Sequence, residues 1–251
     1  LQAKFTILAT EGNLNNHIGV PQMLFRLTSK HDMAVLELGT NHFGELKYLC
    51  ELAEPTHALI TNIGLAIWWV PRLGRIKKDY PDRVLIASIM AGSGSEKEYD
   101  NWRSLAKACQ TEGVDGLELN FSCPHMDRED MGSNVGRNRQ LCREVTSVVK
   151  EVSRVPVWVK LTPSTTEIVA EARGAFDGRA DAVASTNTFP ALPPIDPETL
   201  DFEMNVDGFV SSGGLGGPAI LPLSIAKMSQ LTQAFPDKAF SGIGGIAEFS
   251  H

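Results

Sequence analysis

The chain has 251 residues, 43% of them hydrophobic and 21% charged, with a formal net charge of −7. That composition is expected of a globular chain and large enough for one or two domains. The acidic balance excludes a general binder of nucleic acid or of anionic membranes. No apolar run approaches the roughly 20 residues that span a bilayer, and Ala66–Pro71 is far too short. No signal-peptide pattern is read at the N-terminus, where Lys4 interrupts a short mixed segment. The four cysteines, Cys50, Cys109, Cys123 and Cys142, form no C-x-x-C pair, so neither zinc nor an iron–sulfur cluster is indicated, no metal site is assigned, and a reducing cytoplasm is expected.

In chain order, Ile18, Met23, Leu24 and Leu27 predict a short helix within 18–28, after a polar loop from Gly12 to Asn16. A compact strand follows at Met33–Leu38, a helix at Phe43–Leu52 and a strand at His57–Asn62. Strand, helix and strand in that order suggest a parallel α/β unit. The same alternation continues with strands at Val84–Ile89, Gly116–Leu119, Val157–Leu161, Ala182–Ser185 and Ala239–Gly242. Helices are predicted at Glu96–Glu112, Arg139–Ser153, Thr165–Phe176 and Ile220–Phe235, with Ser95 and Thr165 or Thr166 as caps. Phe189–Ser212 lacks periodicity, is rich in Pro and Asp, and is read as a long active-site loop.

Polar residues close several of the apolar runs. Asn120 follows Gly116–Leu119 and Cys123 comes three positions later. Lys160 lies near the end of Val157–Leu161, and Asn187 and Thr188 follow Ala182–Ser185. Parallel barrels build active sites from the carboxyl ends of several strands. An amide there offers a donor and an acceptor to a ligand's amide edge. A thiol, with an ordinary pKa of about 8.5, can give and take a proton near neutrality.

The run NFSCPH (120–125) and the motifs DYPDRVLIASIM (79–90), VKLTP (159–163), STNT (185–188), IDPETL (195–200), GGLGGPAI (213–220) and GIGGI (242–246) stand in the order seen in one family. From about Arg72 onward the chain resembles the FMN-binding barrel of dihydropyrimidine dehydrogenases, within the dihydroorotate dehydrogenase superfamily. The resemblance implies a (β/α)8 TIM-type barrel that reduces uracil- or thymine-like pyrimidines. It assigns Cys123 as the catalytic acid at C5, and Asn120, Ser122, Asn187 and Thr188 to the pyrimidine. Lys160 is assigned to the flavin ring, and Gly217, Gly244 and Gly245 to the FMN phosphate. An NAD(P)H- or iron–sulfur-bearing subunit is the implied electron donor. One departure bears on specificity. Where that family carries a substrate-binding Asn just after ASIM, this chain has Ala91, Gly92 and Ser93.

Residues 1–66 resemble a different family. EGNLNNHIGVP (11–21), AVLELGTNHFGEL (34–46) and PTHALITNIGLA (55–66) are similar to the central domain of Mur ligases, especially the D-alanyl-D-alanine-adding enzyme. That resemblance makes Glu37 a candidate magnesium ligand, sets His42 near it, and faces Asn13, Asn15 and Asn16 toward substrate. Yet no G-x-x-G-K-[ST] loop occurs in the chain to cradle a triphosphate, and Ile67 stands where a metal-binding His is expected. The expected organisation is therefore a Mur-like fragment at 1–66 and an incomplete flavin barrel at 67–251, two partial pieces joined near Ala66–Pro71. The leading function is flavin-dependent pyrimidine reduction, with an ATP-dependent ligase fragment and a non-catalytic fusion as alternatives.

Overall fold

The computed structural model describes the chain except residues 1–5, 11–13, 15, 37, 39–44, 56–57, 61–65, 124–128, 193, 200–201, 203–212 and 247–251. Its elements are β1 (Ile7–Ala9), α1 (Gly19–Leu24), β2 (Met33–Val35), α2 (Glu45–Ala53), β3 (Ala58–Ile60), α3 (Ala66–Asp79), β4 (Leu85–Ile89), α4 (Glu96–Thr111), β5 (Gly116–Phe121), α5 (Ser133–Gly136), α6 (Arg139–Val152), β6 (Val157–Leu161), α7 (Ile168–Asp177), β7 (Ala182–Ser185), β8 (Phe189–Ala191), β9 (Gly213–Leu215), a 3₁₀ turn (Gly217–Ile220), α8 (Leu221–Ala234) and β10 (Ala239–Gly242). Among the described residues no helix is long and apolar enough to cross a membrane.

Six strands make one all-parallel sheet in the order β10-β7-β6-β5-β4-β3. Each strand lies beside the one before it, with no reversal of order. A doubly wound sheet reverses at a switch point, so this winding is that of a TIM-type barrel. Among the described residues the ring is open: β3 and β10 are its two edges, and six strands stand where a closed barrel has eight.

The two faces of the sheet differ sharply. Ala87, Ile89, Leu117, Leu119, Phe121, Val157, Val159, Leu161 and Val183 point to one face and form one apolar core with Trp102, Val145, Val149, Ile168, Ala172 and Leu231 from the helices. The alternating residues Ser88, Glu118, Asn120, Trp158 and Lys160 point to the other, because side chains alternate along a strand. The register keeps them together, pairing Ser88 with Glu118, Glu118 with Trp158, and Asn120 with Lys160. Burying the apolar face at about 25 cal/mol per Å² holds the helices on, which leaves the polar face for chemistry.

Two strand entries are fastened in the same way. Asp115 and Leu85 exchange backbone and side-chain bonds: the Asp115 N–H donates to the Leu85 carbonyl at 2.8 Å, and its Oδ2 accepts the Leu85 N–H at 2.7 Å. Asp181 repeats this with Val157, at 2.8 and 2.7 Å. Lys77 reaches Asp115 at 3.0 Å and Lys150 reaches Asp181 at 2.7 Å. For both aspartates burial alone would raise the pKa, but the strand N–H and the lysine outweigh it and hold the carboxyl below its ordinary value. A carboxyl depressed on folding stabilises above its unfolded pKa of about 3.9, and that stabilisation is lost as pH falls through the folded value. D115N/D181N is therefore expected to flatten the acid limb of a urea-denaturation series below about pH 4. Its cost at neutral pH is expected to be roughly 1–2 kcal/mol per site, kept modest by solvent screening. An unchanged acid limb would count against the account.

Most predicted elements are present, and several differ in informative ways. β5 runs two residues further than predicted, so Asn120 lies within the strand. Ser95 caps α4 by accepting the Glu98 N–H at 3.4 Å, whereas α7 starts later than predicted, with Glu167 as its N-cap. Thr165 instead accepts the Glu167 N–H and donates to the buried Glu171 carboxylate. The interval 189–215 is bounded by two short antiparallel strands, β8 and β9, rather than being loop throughout. The predicted N-terminal unit divides: β2 pairs with β1, while β3 pairs with β4. An unpaired sheet edge is a ready template for a strand, and β3 occupies that of β4. The stretch 66–71, read as a joint, lies within α3, with Pro71 inside the helix and Leu73 buried.

Candidate active site

The carboxyl ends of β5, β6 and β7 carry the candidate residues. Asn120 is 8% exposed, and its Oδ1 accepts both the Ser122 N–H at 3.1 Å and the Ser122 hydroxyl at 2.8 Å. Asn187, after β7, donates from Nδ2 to the Ser122 carbonyl at 3.2 Å and to its Oγ at 3.0 Å. Its Oδ1 accepts the Thr188 N–H at 2.8 Å. Ser122 is thus a buried clasp between the two amides. The Asn120 Nδ2 has no partner among the described residues, so this amide keeps a donor to offer a ligand.

Cys123 is half-buried beyond the end of β5. Its carbonyl accepts the Ser133 N–H at 2.9 Å, which ties it to the start of α5. Gly136, at the end of α5, lies so close to the Phe121 carbonyl that a β-carbon would collide with it. The strand end and the returning helix therefore fix the thiol-bearing backbone. Pro124 and His125 lie outside the described residues.

Lys160 is 12% exposed on the polar face, with Nζ 3.7 Å from Oε1 of Glu118. Sequence reasoning assigned Glu118 nothing. Its signal was a carboxylate between Leu117 and Leu119, at the alternate position of a strand whose other side is core.

The glycines converge near the ends of β7 and β10. Ile243 and the β7 end exchange bonds: the Ile243 N–H donates to the Ser185 carbonyl at 2.7 Å and the Thr186 N–H to the Ile243 carbonyl at 3.0 Å. Gly217, Gly244 and Gly245 all have positive φ, and a β-carbon at Gly245 would meet the Gly217 carbonyl. Two glycine turns thus approach backbone to backbone beside α8, which only residues without a β-carbon allow. Thr188 lies against the neighbouring Gly214. Of the Mur-like candidates, Glu37, His42, Asn13 and Asn15 lie outside the described residues. The Asn16 side chain accepts the N–H groups of Ile18 and Gly19 at the start of α1.

A one-way parallel sheet with a polar inner face and site residues at its carboxyl ends defines a TIM-type α/β chain. The chain belongs to the dihydroorotate dehydrogenase family, whose model matches residues 56–249. Residues 1–66 match the Mur ligase middle domain, so the two matches overlap over β3. The chain is 38% identical over 180 residues to the chloroplastic NADP(+) dihydropyrimidine dehydrogenase of Arabidopsis thaliana, covering 68% of this chain and 41% of the relative. It is 37% identical over 176 residues to the NAD-dependent dihydropyrimidine dehydrogenase subunit PreA of Escherichia coli K12, covering 69% and 42%. Against the catalytic subunit of dihydroorotate dehydrogenase B (NAD(+)) of Streptococcus pneumoniae R6, identity is 32% over 188 residues, covering 74% and 57%. The matched region thus spans only about two fifths to three fifths of these relatives. Among solved structures, a Rhizobium etli pyruvate carboxylase is similar over 52% of this chain and 11% of that one, with a TM-score of 0.39 and 12% identity.

Proposed function

We propose that this chain is a flavin-dependent oxidoreductase that reduces uracil- or thymine-like pyrimidines. The observation that carries the reading is the Asn120–Ser122–Asn187 network beside Lys160 at the carboxyl ends of adjoining strands. The residues fit FMN: Lys160 supplies a positive charge for the ring, and Gly217, with open space where a β-carbon would stand, leaves main chain accessible to a phosphate beside the Gly244–Gly245 turn. When bound, FMN supplies hydride exchange at pyrimidine C6. Asn120 and Asn187 orient the ring's alternating N–H and C=O edge, with Ser122 and Thr188 supporting them. Cys123 delivers the proton to C5. The reducing equivalents come from an NAD(P)H- or iron–sulfur-bearing partner subunit, as the relatives named as subunits suggest. The working division is a Mur-like segment at 1–66 and the flavin unit at 67–251, in the cytoplasm.

The test is FMN titration of the full chain, followed by uracil reduction with chemically reduced flavin. Saturable binding with a protein-bound flavin absorbance band is expected, weakened in K160Q and kept in N187A, with uracil reduction lost in N187A. A chain that is colourless once free FMN has been removed would reject the reading. Magnesium-dependent ATP binding in its place would favour the ligase alternative.

A further inference from the structure

We propose that Glu118 sets the charge that Lys160 presents to the flavin, acting as a positioning residue and not as a proton donor. The inference rests on the flavin reading above and assigns a role to a residue that reading leaves unused. The strands on both sides of β5 converge on this carboxylate. Ser88 of β4 donates its hydroxyl to Oε1 at 2.7 Å, Trp158 of β6 donates its indole N–H to Oε2 at 3.3 Å, and Lys160 of β6 lies 3.7 Å from Oε1. Glu118 itself is 2% exposed. An isolated carboxylate at such depth is strongly disfavoured, and pairing with hydrogen bonds is what makes it tolerable.

The arrangement is more than a plug for the sheet's inner face. An apolar residue at 118 would fill the same space without leaving a negative charge under the lysine. With Glu118 in place, part of the Lys160 charge is offset from below. The ammonium has three donors, and a contact at 3.7 Å leaves them free to turn toward a ligand. Reduction of FMN takes two electrons and one proton to give an anionic ring, so the net charge that residues would present to the ring would bear directly on its midpoint potential. Glu118 holds that potential down, and Lys160 holds it up.

The sign separates this role from a structural one. In the full chain loaded with FMN, Glu118→Gln removes the offset and is expected to raise the two-electron potential by at least about 30 mV, a tenfold change in the redox equilibrium for two electrons. Glu118→Asp should restore most of the wild-type potential, and Lys160→Gln should lower it. Loosened packing alone would weaken FMN binding without raising the potential. Should the Gln variant not fold, Glu118→Met is neutral, of similar length, and makes the same prediction. A flavin-free arm uses urea denaturation of the Glu118→Gln and Lys160→Gln single variants and of the double variant. The double should be at least tenfold more stable, in its unfolding constant, than the two singles summed. A wild-type chain that binds no FMN overturns the flavin reading and this role with it. Wild-type binding with an unchanged or lowered Glu118→Gln potential, or a cycle without coupling, overturns this role alone.

Discussion

Cys123→Ala is expected to lower uracil reduction by roughly 10²–10⁴-fold, the range for a lost general acid, while FMN affinity stays near the wild-type value. Carbon accepts a proton slowly from bulk water, so a fixed donor dominates that step. The Ser133 N–H and the close approach of Gly136 to the Phe121 carbonyl hold the backbone around this thiol. Its side chain is half-buried rather than sealed in the core. The other cysteines are poor substitutes. Burial pushes the Cys109 thiol up to about 11, raises Cys142 further, and raises Cys50 as well. Cys109 and Cys142 also belong to the apolar core behind the sheet. The measurement is single-turnover reduction of uracil by chemically reduced, FMN-loaded chain, with Cys123→Ser as companion and Cys109→Ser as control. Serine keeps the size but is a far weaker acid, so it should resemble alanine. Turnover unchanged in Cys123→Ala would remove the proposed acid, and turnover lost equally in Cys109→Ser would point to packing instead.

Much of the sheet was legible because the two-residue period is local. Val157, Val159 and Leu161 alternate with Trp158 and Lys160 in the sequence as they do across the two faces. The site's strand ends were legible for the same reason, since a polar residue closing an apolar run needs no knowledge of its neighbours. What depends on distant pairing was not. Nothing within His57–Asn62 says that β3 will choose β4, 27 positions on, over β2. The clasp by Ser122 joins residues 65 positions apart, and the Ser88–Glu118 bond joins residues 30 apart. Helix α3 was missed because Pro71, ordinarily a breaker, sits inside it. The cap at Thr165 was misplaced because its hydroxyl has two uses nearby and serves the turn before the helix.

Trp102→Ala is expected to cost about 3–5 kcal/mol, the range for truncating a buried aromatic. Trp102 is fully buried, and its ring meets Phe121 edge-on at 5.9 Å and 88°. That contact joins α4 to the end of β5, two residues before Cys123. Its indole N–H donates to the Gly92 carbonyl at 2.7 Å, fixing the loop between β4 and α4. Ser93 in that loop donates to the Asp130 carbonyl at 2.8 Å, on the segment that follows the thiol. The place where the resembled family reads its substrate with an Asn is thus occupied here by a fastening between two loops. Trp102→Phe separates the contributions, because it keeps most of the packing and leaves the Gly92 carbonyl without its donor, at about 1–3 kcal/mol. Single domains are commonly stable by about 5–15 kcal/mol, and an open sheet with two edges is expected near the lower end. Urea denaturation should therefore show Trp102→Phe folded with a lowered midpoint, and Trp102→Ala left with about 2 kcal/mol or less and partly unfolded even without denaturant. A loss below about 1.5 kcal/mol in Trp102→Ala, half the lower bound for such truncations, would mean that the helix layer is not held to the sheet through this residue.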